Sequence, residues 1–232
     1  MSYAGNAPRD LGLVDINPTE MMFWMYLPIS SPGMPGIALP ENLKQFKPLI
    51  SAVQKDLKDN DQWRHEYDNK WANSYIYLTA KTLWVEGDYI GNRPGWHIDG
   101  YGTDDINYIW ADRAPTDFLI LNETINLSDD CDESLAEMEK LAKNAHPALF
   151  RTYPDKHLLR LDNTVIHRSP VNFPSGMRTF VKISVSHEKY NLKGNAINHL
   201  LPETHWELID RQIARNHPVY KNSDFIVLKE TA

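Results

Sequence analysis

The feature that most constrains the fold is a succession of short, strand-like segments between residues 74 and 187, separated by turns. Residues 74–79 and 82–85 are rich in aromatic and β-branched side chains, which are typical of strands. A turn region rich in glycine and proline follows at 87–95. Further strand-like segments follow at 107–110, 116–121, 148–153, 157–161, 164–168 and 177–187. So many short strands in a row predict a mainly β fold rather than a doubly wound sheet.

Helical patterns flank and interrupt these segments. Apolar residues recur at helical spacing over 43–57, with Pro48 near the beginning, and again over 135–145, where Pro147 ends the pattern. Thr204 followed by Glu207 is a capping-box pattern that predicts a third helix, ended by Pro218. The run 20–26 is consistent with a short helix or an edge strand.

The predicted organisation is a single domain over 1–232, mainly β with flanking helices (α+β). It comprises an N-terminal helical part at about 1–70, a β core at about 74–190, and a C-terminal helix and tail at 191–232. The apolar terminal helices would also suit a dimer.

Composition excludes several classes of function. A hydrophobic content of 42% is enough for a core, and the net charge of −7 gives no general attraction to nucleic acid or anionic membranes. A lone cysteine, Cys131, excludes an intrachain disulfide and fits a reducing compartment. The most apolar run, 21–27, is too short for a membrane helix, and no signal peptide is evident. We expect a cytoplasmic protein that acts on a small molecule.

The strongest chemical signal is the stretch Trp96-His97-Ile98-Asp99-Gly100. Side chains two positions apart leave the same face of a strand, so the imidazole of His97 and the carboxylate of Asp99 should project together. His167 lies in a later strand-like segment, and Arg178 follows eleven residues after it. Two imidazoles and one carboxylate are the facial triad that binds non-haem Fe(II) and leaves coordination positions open.

In these residues the chain resembles the Fe(II)/2-oxoglutarate-dependent dioxygenases, whose pattern is His-x-Asp, a distal His, and an Arg about ten residues further on. The resemblance covers roughly residues 75 to 190. It implies a double-stranded β-helix (jelly-roll, cupin-like) core with the metal at its open mouth. It also implies that His97, Asp99 and His167 bind Fe(II), that 2-oxoglutarate and O2 take the open positions, and that Arg178 holds the distal carboxylate of 2-oxoglutarate.

One position departs from the family pattern, because Phe180 stands where many members have Ser or Thr two residues after the Arg. A second hydroxyl for the cosubstrate would then come from Tyr108 or Thr116. Arg93, four residues before His97, is a candidate partner for an anionic group of the substrate. Trp96 and Trp110 are candidates for lining the substrate pocket, although packing explains them equally well.

These observations predict an oxygenase that hydroxylates a small polar metabolite, such as an amino acid or a natural-product intermediate, with release of succinate and CO2. One alternative keeps the chemistry but takes a nucleobase or nucleic acid as substrate, which requires a basic face and a pocket for an extruded base. The other is a non-catalytic jelly-roll binding protein. The sequence has no His-Glu-x-x-His, phosphate loop or Gly-x-Ser-x-Gly elbow.

Overall fold

The structure is a computed structural model that describes residues 2–60, 70–87, 89–121, 123–202 and 206–210. Within these residues it contains eleven strands, two α-helices and two short 3-10 helices, Glu41–Phe46 and Pro147–Leu149. The helices are α1 (Lys47–Asn60) and α2 (Cys131–Asn144). The strands are β1 (Ser2–Ala4), β2 (Arg9–Leu13), β3 (Met22–Ser30), β4 (Tyr75–Val85), β5 (Ile106–Ala111), β6 (Asp117–Leu119), β7 (Thr124–Asn126), β8 (Phe150–Thr152), β9 (His157–Leu161), β10 (Ile166–Arg168) and β11 (Gly176–Ser186).

The described strands form antiparallel sheets. The large sheet has six strands in the order β2-β9-β5-β11-β4-β3. The small sheet has three strands in the order β10-β6-β8, and β1 pairs separately with β7. Strand β11 pairs with β4 along its whole length and with β5 on its other side. The prediction of a mainly β fold with flanking helices is therefore confirmed.

Three apolar clusters define the layers of the fold. The first cluster lies between the large sheet and α1. The second lies between the large sheet and the small sheet. The third lies between the small sheet and α2. Helix α1 buries Leu49, Ile50 and Val53 because these residues share one face at helical spacing. Helix α2 begins at the side chain of Asp130, which accepts hydrogen bonds from the backbone N–H groups of Asp132 and Glu133.

The two faces of β11 have different partners. Val181, Ile183 and Val185 belong to the cluster that contains α1, as their shared period of two predicts. Lys182 and Phe180 are on the opposite face. Residues directly opposite each other in a sheet project to the same side, so this face also carries their cross-strand partners Thr79, Lys81, Ile109 and Ala111.

The N-terminal third differs from the prediction. Among the described residues of 1–70, helices occur only within 41–60, and residues 2–30 contain three strands instead. Of the two alternatives for 20–26, the edge strand is confirmed: β3 forms the edge of the large sheet beside β4. The segments 74–79 and 82–85 form one continuous strand, β4.

The predicted C-terminal helix falls almost entirely outside the described residues. Of its length only 206–210 are described, and these residues are not helical: Ile209 forms an isolated parallel bridge with Leu192. No helix among the described ranges combines the length and the apolar character needed to cross a bilayer.

The central position of β11 makes a stability prediction. Replacing the fully buried Ile183 by Ala should lower the free energy of unfolding by about 2–5 kcal/mol, because it removes buried methyl groups and leaves a cavity. Met177→Ala on the same strand is the matched control: this side chain is 37% exposed, and its loss should cost less than about 1 kcal/mol. Urea denaturation of both variants measures the difference, and equal costs would contradict the layer arrangement.

Candidate metal centre

The two histidines singled out in the sequence are joined directly through the backbone. The N–H of His97 donates to the carbonyl of His167 at 2.9 Å, and the N–H of His167 donates to the carbonyl of His97 at 2.9 Å. This isolated antiparallel bridge places the centroids of the two imidazole rings 4.5 Å apart. The bridge connects the 97–100 segment to β10, which is part of the small sheet.

Both imidazoles are oriented in the same way. His97 Nδ1 lies 2.8 Å from the carbonyl oxygen of Gly95, and His167 Nδ1 lies 3.0 Å from that of Val165. A carbonyl can only accept, so the neutral form of each ring has its proton on Nδ1 and a lone pair on Nε2. Metal-binding histidines in proteins are usually held by such a hydrogen bond from the second ring nitrogen.

Asp99 completes the group from a turn rather than from a regular strand. Its Oδ2 lies 3.5 Å from His167 Nε2. The turn requires Gly100, whose φ is +71° and whose place offers no room for a side chain: a Cβ there would lie 2.8 Å from Cβ of Asp105.

One ligand atom from each of His97, Asp99 and His167 lies within 4.8 Å of the other two. Two Nε2 lone pairs and a carboxylate oxygen at these separations fit a divalent first-row metal ion with open coordination positions. The three residues therefore have the chemistry and the spacing to hold one.

The protonation states also suit metal binding, which requires unprotonated ligands. Burial, together with the neighbouring imidazole of His167, lowers the pKa of His97 to about 3, so this ring is neutral at physiological pH. Burial alone would raise the pKa of Asp99, but the ammonium of Lys182 and the imidazole of His167 outweigh it and hold that pKa well below its usual value.

A buried lysine that the sequence analysis missed lies beside the triad. Lys182 Nζ donates to Asp99 Oδ2 at 2.8 Å and to the hydroxyl of Tyr26 at 3.1 Å. Its side chain is only 9% exposed. Burial would lower the pKa of Lys182, but the Asp99 carboxylate outweighs burial and raises that pKa above its usual value. The sequence did carry a signal, because Lys182 interrupts an apolar strand at even spacing from Arg178.

The triad opens on a cavity of about 550 Å³ between the large sheet and the small sheet. Among the described residues of its wall, Asp99 is the only acid, whereas Lys81, Arg93, Arg168 and Lys182 are cations. The guanidinium of Arg168 is paired with Asp117. This excess of positive charge contrasts with the net charge of −7 for the whole chain and favours an anionic ligand.

Arg178 lies behind the wall of this cavity rather than in it. Its Nε donates to the carbonyls of Arg113 and Ala114 at 3.1 Å, and its Nη2 donates to that of Ala114 at 3.0 Å. Its Nη1 is 3.3 Å from the side-chain amide of Asn92, which does line the cavity. The guanidinium is thus one side chain away from the cavity, and Phe180 packs against it with its ring centroid 5.2 Å from Cζ.

The other predicted site residues divide into two groups. Thr116 and Arg93 line the same cavity as the triad, Thr116 buried and Arg93 exposed at the rim. Tyr108, Trp96 and Trp110 do not. The Trp96 ring packs in the cluster with α2, and Trp110 donates from Nε1 to the carbonyls of Val14 and Lys156.

Tyr108 is on the wrong face of β5 to bind a cosubstrate in this cavity. Strand β5 alternates, so Ile109 faces the cavity while Tyr108 and Trp110 pack in the α1 cluster. The hydroxyl of Tyr108 donates to Asp56 Oδ2 at 2.8 Å, and the same oxygen accepts from Arg160 Nη1 at 3.0 Å. The predicted cosubstrate role of Tyr108 is therefore corrected to a structural role beneath α1.

Comparison with known proteins adds little to the geometry. No protein-family model and no curated protein matches the chain. Among solved structures, the full-length thymine-7-hydroxylase of Neurospora crassa in complex with alpha-KG is similar at 11% sequence identity and a TM-score of 0.34. The similarity covers 88% of this chain and 63% of that protein.

The position of Tyr108 can be tested directly. Tyr108→Phe removes a buried hydrogen bond to a carboxylate that keeps Arg160 as a partner, so it should lower the free energy of unfolding by about 1–2 kcal/mol. The affinity for Mn(II), measured by calorimetric titration, should not change. A large loss of Mn(II) affinity in this variant would contradict the placement of Tyr108 away from the metal centre.

Proposed function

We propose that this protein is an Fe(II)- and 2-oxoglutarate-dependent oxygenase that hydroxylates a small polar metabolite, such as an amino acid or a natural-product intermediate. In this reaction the substrate, O2 and 2-oxoglutarate give hydroxylated substrate, succinate and CO2. The observation that carries the proposal is the convergence of His97, Asp99 and His167 on the wall of a cationic cavity. A binding protein without catalysis does not require a metal site with open coordination positions.

Each residue of the candidate metal centre has a defined role in this proposal. His97 and His167 present Nε2 because Gly95 and Val165 accept the hydrogen bonds from Nδ1, and Asp99 supplies the negative charge. Fe(II), when bound with 2-oxoglutarate and O2, supplies the oxidising power that replaces a C–H bond of the substrate by C–OH. The apolar walls formed by Ile109 and Phe180 limit water around the reacting atoms.

Arg178 is the proposed partner of the distal carboxylate of 2-oxoglutarate. Its Nη1 faces Asn92, and a modest displacement of that amide would let Nη1 reach a carboxylate in the cavity. Thr116 provides a hydroxyl on the same wall. Arg178 lies near the Gly176 end of β11, and Thr116 lines a smaller space together with Phe180. A planar guanidinium held in place by carbonyls is well suited to bind a carboxylate.

For the fold we propose the double-stranded β-helix, or jelly roll. Two antiparallel sheets enclose the triad, and the apolar cluster containing Ile109, Phe118 and Val165 fills the space between them. Two facing antiparallel sheets with a candidate metal centre between them support this proposal.

Removing the carboxylate tests the metal centre. Asp99→Ala should abolish succinate release in an assay with Fe(II), ascorbate and 2-oxoglutarate across a panel of metabolites. Wild-type protein should be stabilised by about 2.7 kcal/mol when Mn(II) is present at a hundredfold its Kd, because Mn(II) binds only the folded state, and the variant should lose this gain.

The matched control for this variant is Asp104→Asn, which changes an exposed acid in the same loop. It should keep both the stabilisation by Mn(II) and succinate release. Asp99→Asn keeps an amide oxygen that can accept from Lys182 but removes the negative charge, so it shows whether that charge is needed to hold Mn(II). Retained stabilisation of Asp99→Ala by Mn(II) would remove Asp99 from the ligand set.

Replacing the guanidinium tests the cosubstrate site. Arg178→Met should raise the KM for 2-oxoglutarate roughly tenfold to a hundredfold, because a charge-assisted hydrogen bond is lost. The Mn(II) affinity without 2-oxoglutarate should stay unchanged. Asn92→Ala should leave the KM unchanged or lower it, since it uncovers Nη1. An unchanged KM in Arg178→Met would assign the distal carboxylate to another cation.

A further inference from the structure

A second, smaller chamber adjoins the triad on the side away from Arg178. It has a volume of about 130 Å³, and its walls include Tyr26, Asp99, Asn107, Lys182 and Tyr190. Tyr26, Asp99 and Lys182 also line the main cavity, so the two spaces share these side chains as a common wall. A water molecule occupies about 30 Å³ in the liquid, so this chamber can hold a group of a few heavy atoms.

The ammonium of Lys182 has hydrogen-bonding capacity left over. It has three N–H donors. Two are used, by Asp99 Oδ2 and by the hydroxyl of Tyr26, and no acceptor for the third occurs among the described residues. Because Lys182 lines both spaces, this donor is available to a ligand in either of them.

The position of Tyr26 beside this ammonium is maintained by an unusual backbone conformation. Tyr26 has a φ of +46°, which is rare for a residue other than glycine, and it lies where the register of β3 shifts between Trp24 and Leu27. Its N–H donates to Thr79 Oγ1 at 3.0 Å, and its ring meets that of Tyr190 edge-on at 5.3 Å. Conformations of this kind persist where surrounding structure enforces them, and they cluster at binding sites.

Counted over the triad, Lys182, Arg178 and the proposed cosubstrate, the charges balance if the substrate is an anion. Lys81 and Arg93 add positive charge elsewhere on the cavity wall, and Asp112 lies near Arg178. With a divalent metal and dianionic 2-oxoglutarate in place, the metal and Asp99 together carry one positive charge, and Lys182 and Arg178 add two more. The cosubstrate cancels two of these three positive charges. One positive charge is left in a buried space, where an uncompensated charge is costly.

We propose that the substrate carries one anionic group, and that this group binds in the small chamber by contact with the ammonium of Lys182 and the hydroxyl of Tyr26. This inference rests on the proposed function. It places the substrate's anion and the distal carboxylate of the cosubstrate on opposite sides of the triad, so that the carbon to be hydroxylated lies between them. A carboxylate, a sulfonate and a phosphate share the required chemistry.

The test uses the 232-residue chain loaded anaerobically with Mn(II) and saturating 2-oxoglutarate, so that no turnover occurs. Acetate, methanesulfonate and inorganic phosphate are titrated as probes, with acetamide as the neutral counterpart of acetate. The wild-type protein should bind at least one anion and should not bind acetamide. The anion that binds most tightly identifies the group that the substrate carries.

Variants then assign the contact. Lys182→Met should weaken binding of that anion roughly tenfold to a hundredfold, and Lys182→Arg should restore part of the affinity, because a charged hydrogen bond is removed and then replaced. Tyr26→Phe should weaken it several-fold while leaving the ammonium in place. Lys193→Met is the matched control: this lysine is exposed, follows Leu192 of the chamber wall and does not line the chamber. The Lys193→Met variant should bind the anion with the same affinity as the wild-type protein.

The outcomes separate this inference from the function on which it rests. The proposal for the substrate is overturned if the loaded wild-type protein binds none of the anions, or if it binds acetamide as tightly as acetate. It is also overturned if Lys182→Met leaves the anion affinity unchanged. Each of these results leaves the metal centre intact if Mn(II) and 2-oxoglutarate still bind. Failure of Mn(II) to bind the wild type overturns the proposed function itself. If Lys182→Met does not fold, Tyr26→Phe decides.

Discussion

The backbone bridge between His97 and His167 connects two segments about seventy residues apart, and the candidate site depends on it. Through its two hydrogen bonds the short segment that precedes Asp99 becomes an extension of the small sheet. The carbonyl that orients each ring lies two residues before its histidine, at Gly95 and Val165. Because both rings are held in the same way, both Nε2 atoms face the carboxylate across a short distance.

A second constraint is electrostatic. Asp99 and Lys182 are both largely withdrawn from water, and each would be unfavourable as an isolated charge. Together they compensate each other, so the carboxylate stays ionised without a metal. In the proposed function a metal ion would share the Asp99 carboxylate with the ammonium of Lys182. Because Lys182 also lines the small chamber, the pair would link metal binding to the choice of ligand in the proposed function.

The large sheet explains why the charged and apolar side chains of the cavity wall lie close together. Strand β11 is central, and its cavity-facing side carries Phe180 and Lys182 in register with Thr79 and Lys81 of β4. Alternation along β11 sends Val181 and Ile183 into the opposite layer, where α1 covers them. One strand therefore supplies both the core that stabilises the domain and the charged wall of the cavity.

By itself the sequence determined the order of most strands between 74 and 187 and of the two α-helices, the shared face of Val181, Ile183 and Val185, and the identity of His97, Asp99 and His167 as a group worth testing. These features follow from local periodicity and residue chemistry. The sequence could not decide which face of β5 meets the cavity, so its prediction for Tyr108 was wrong. It also could not show that Arg178 lies behind Asn92, or that Lys182 reaches Asp99. Tertiary structure decided these points, because a period of two tells which side chains share a face, whereas only pairing with distant strands tells what that face meets.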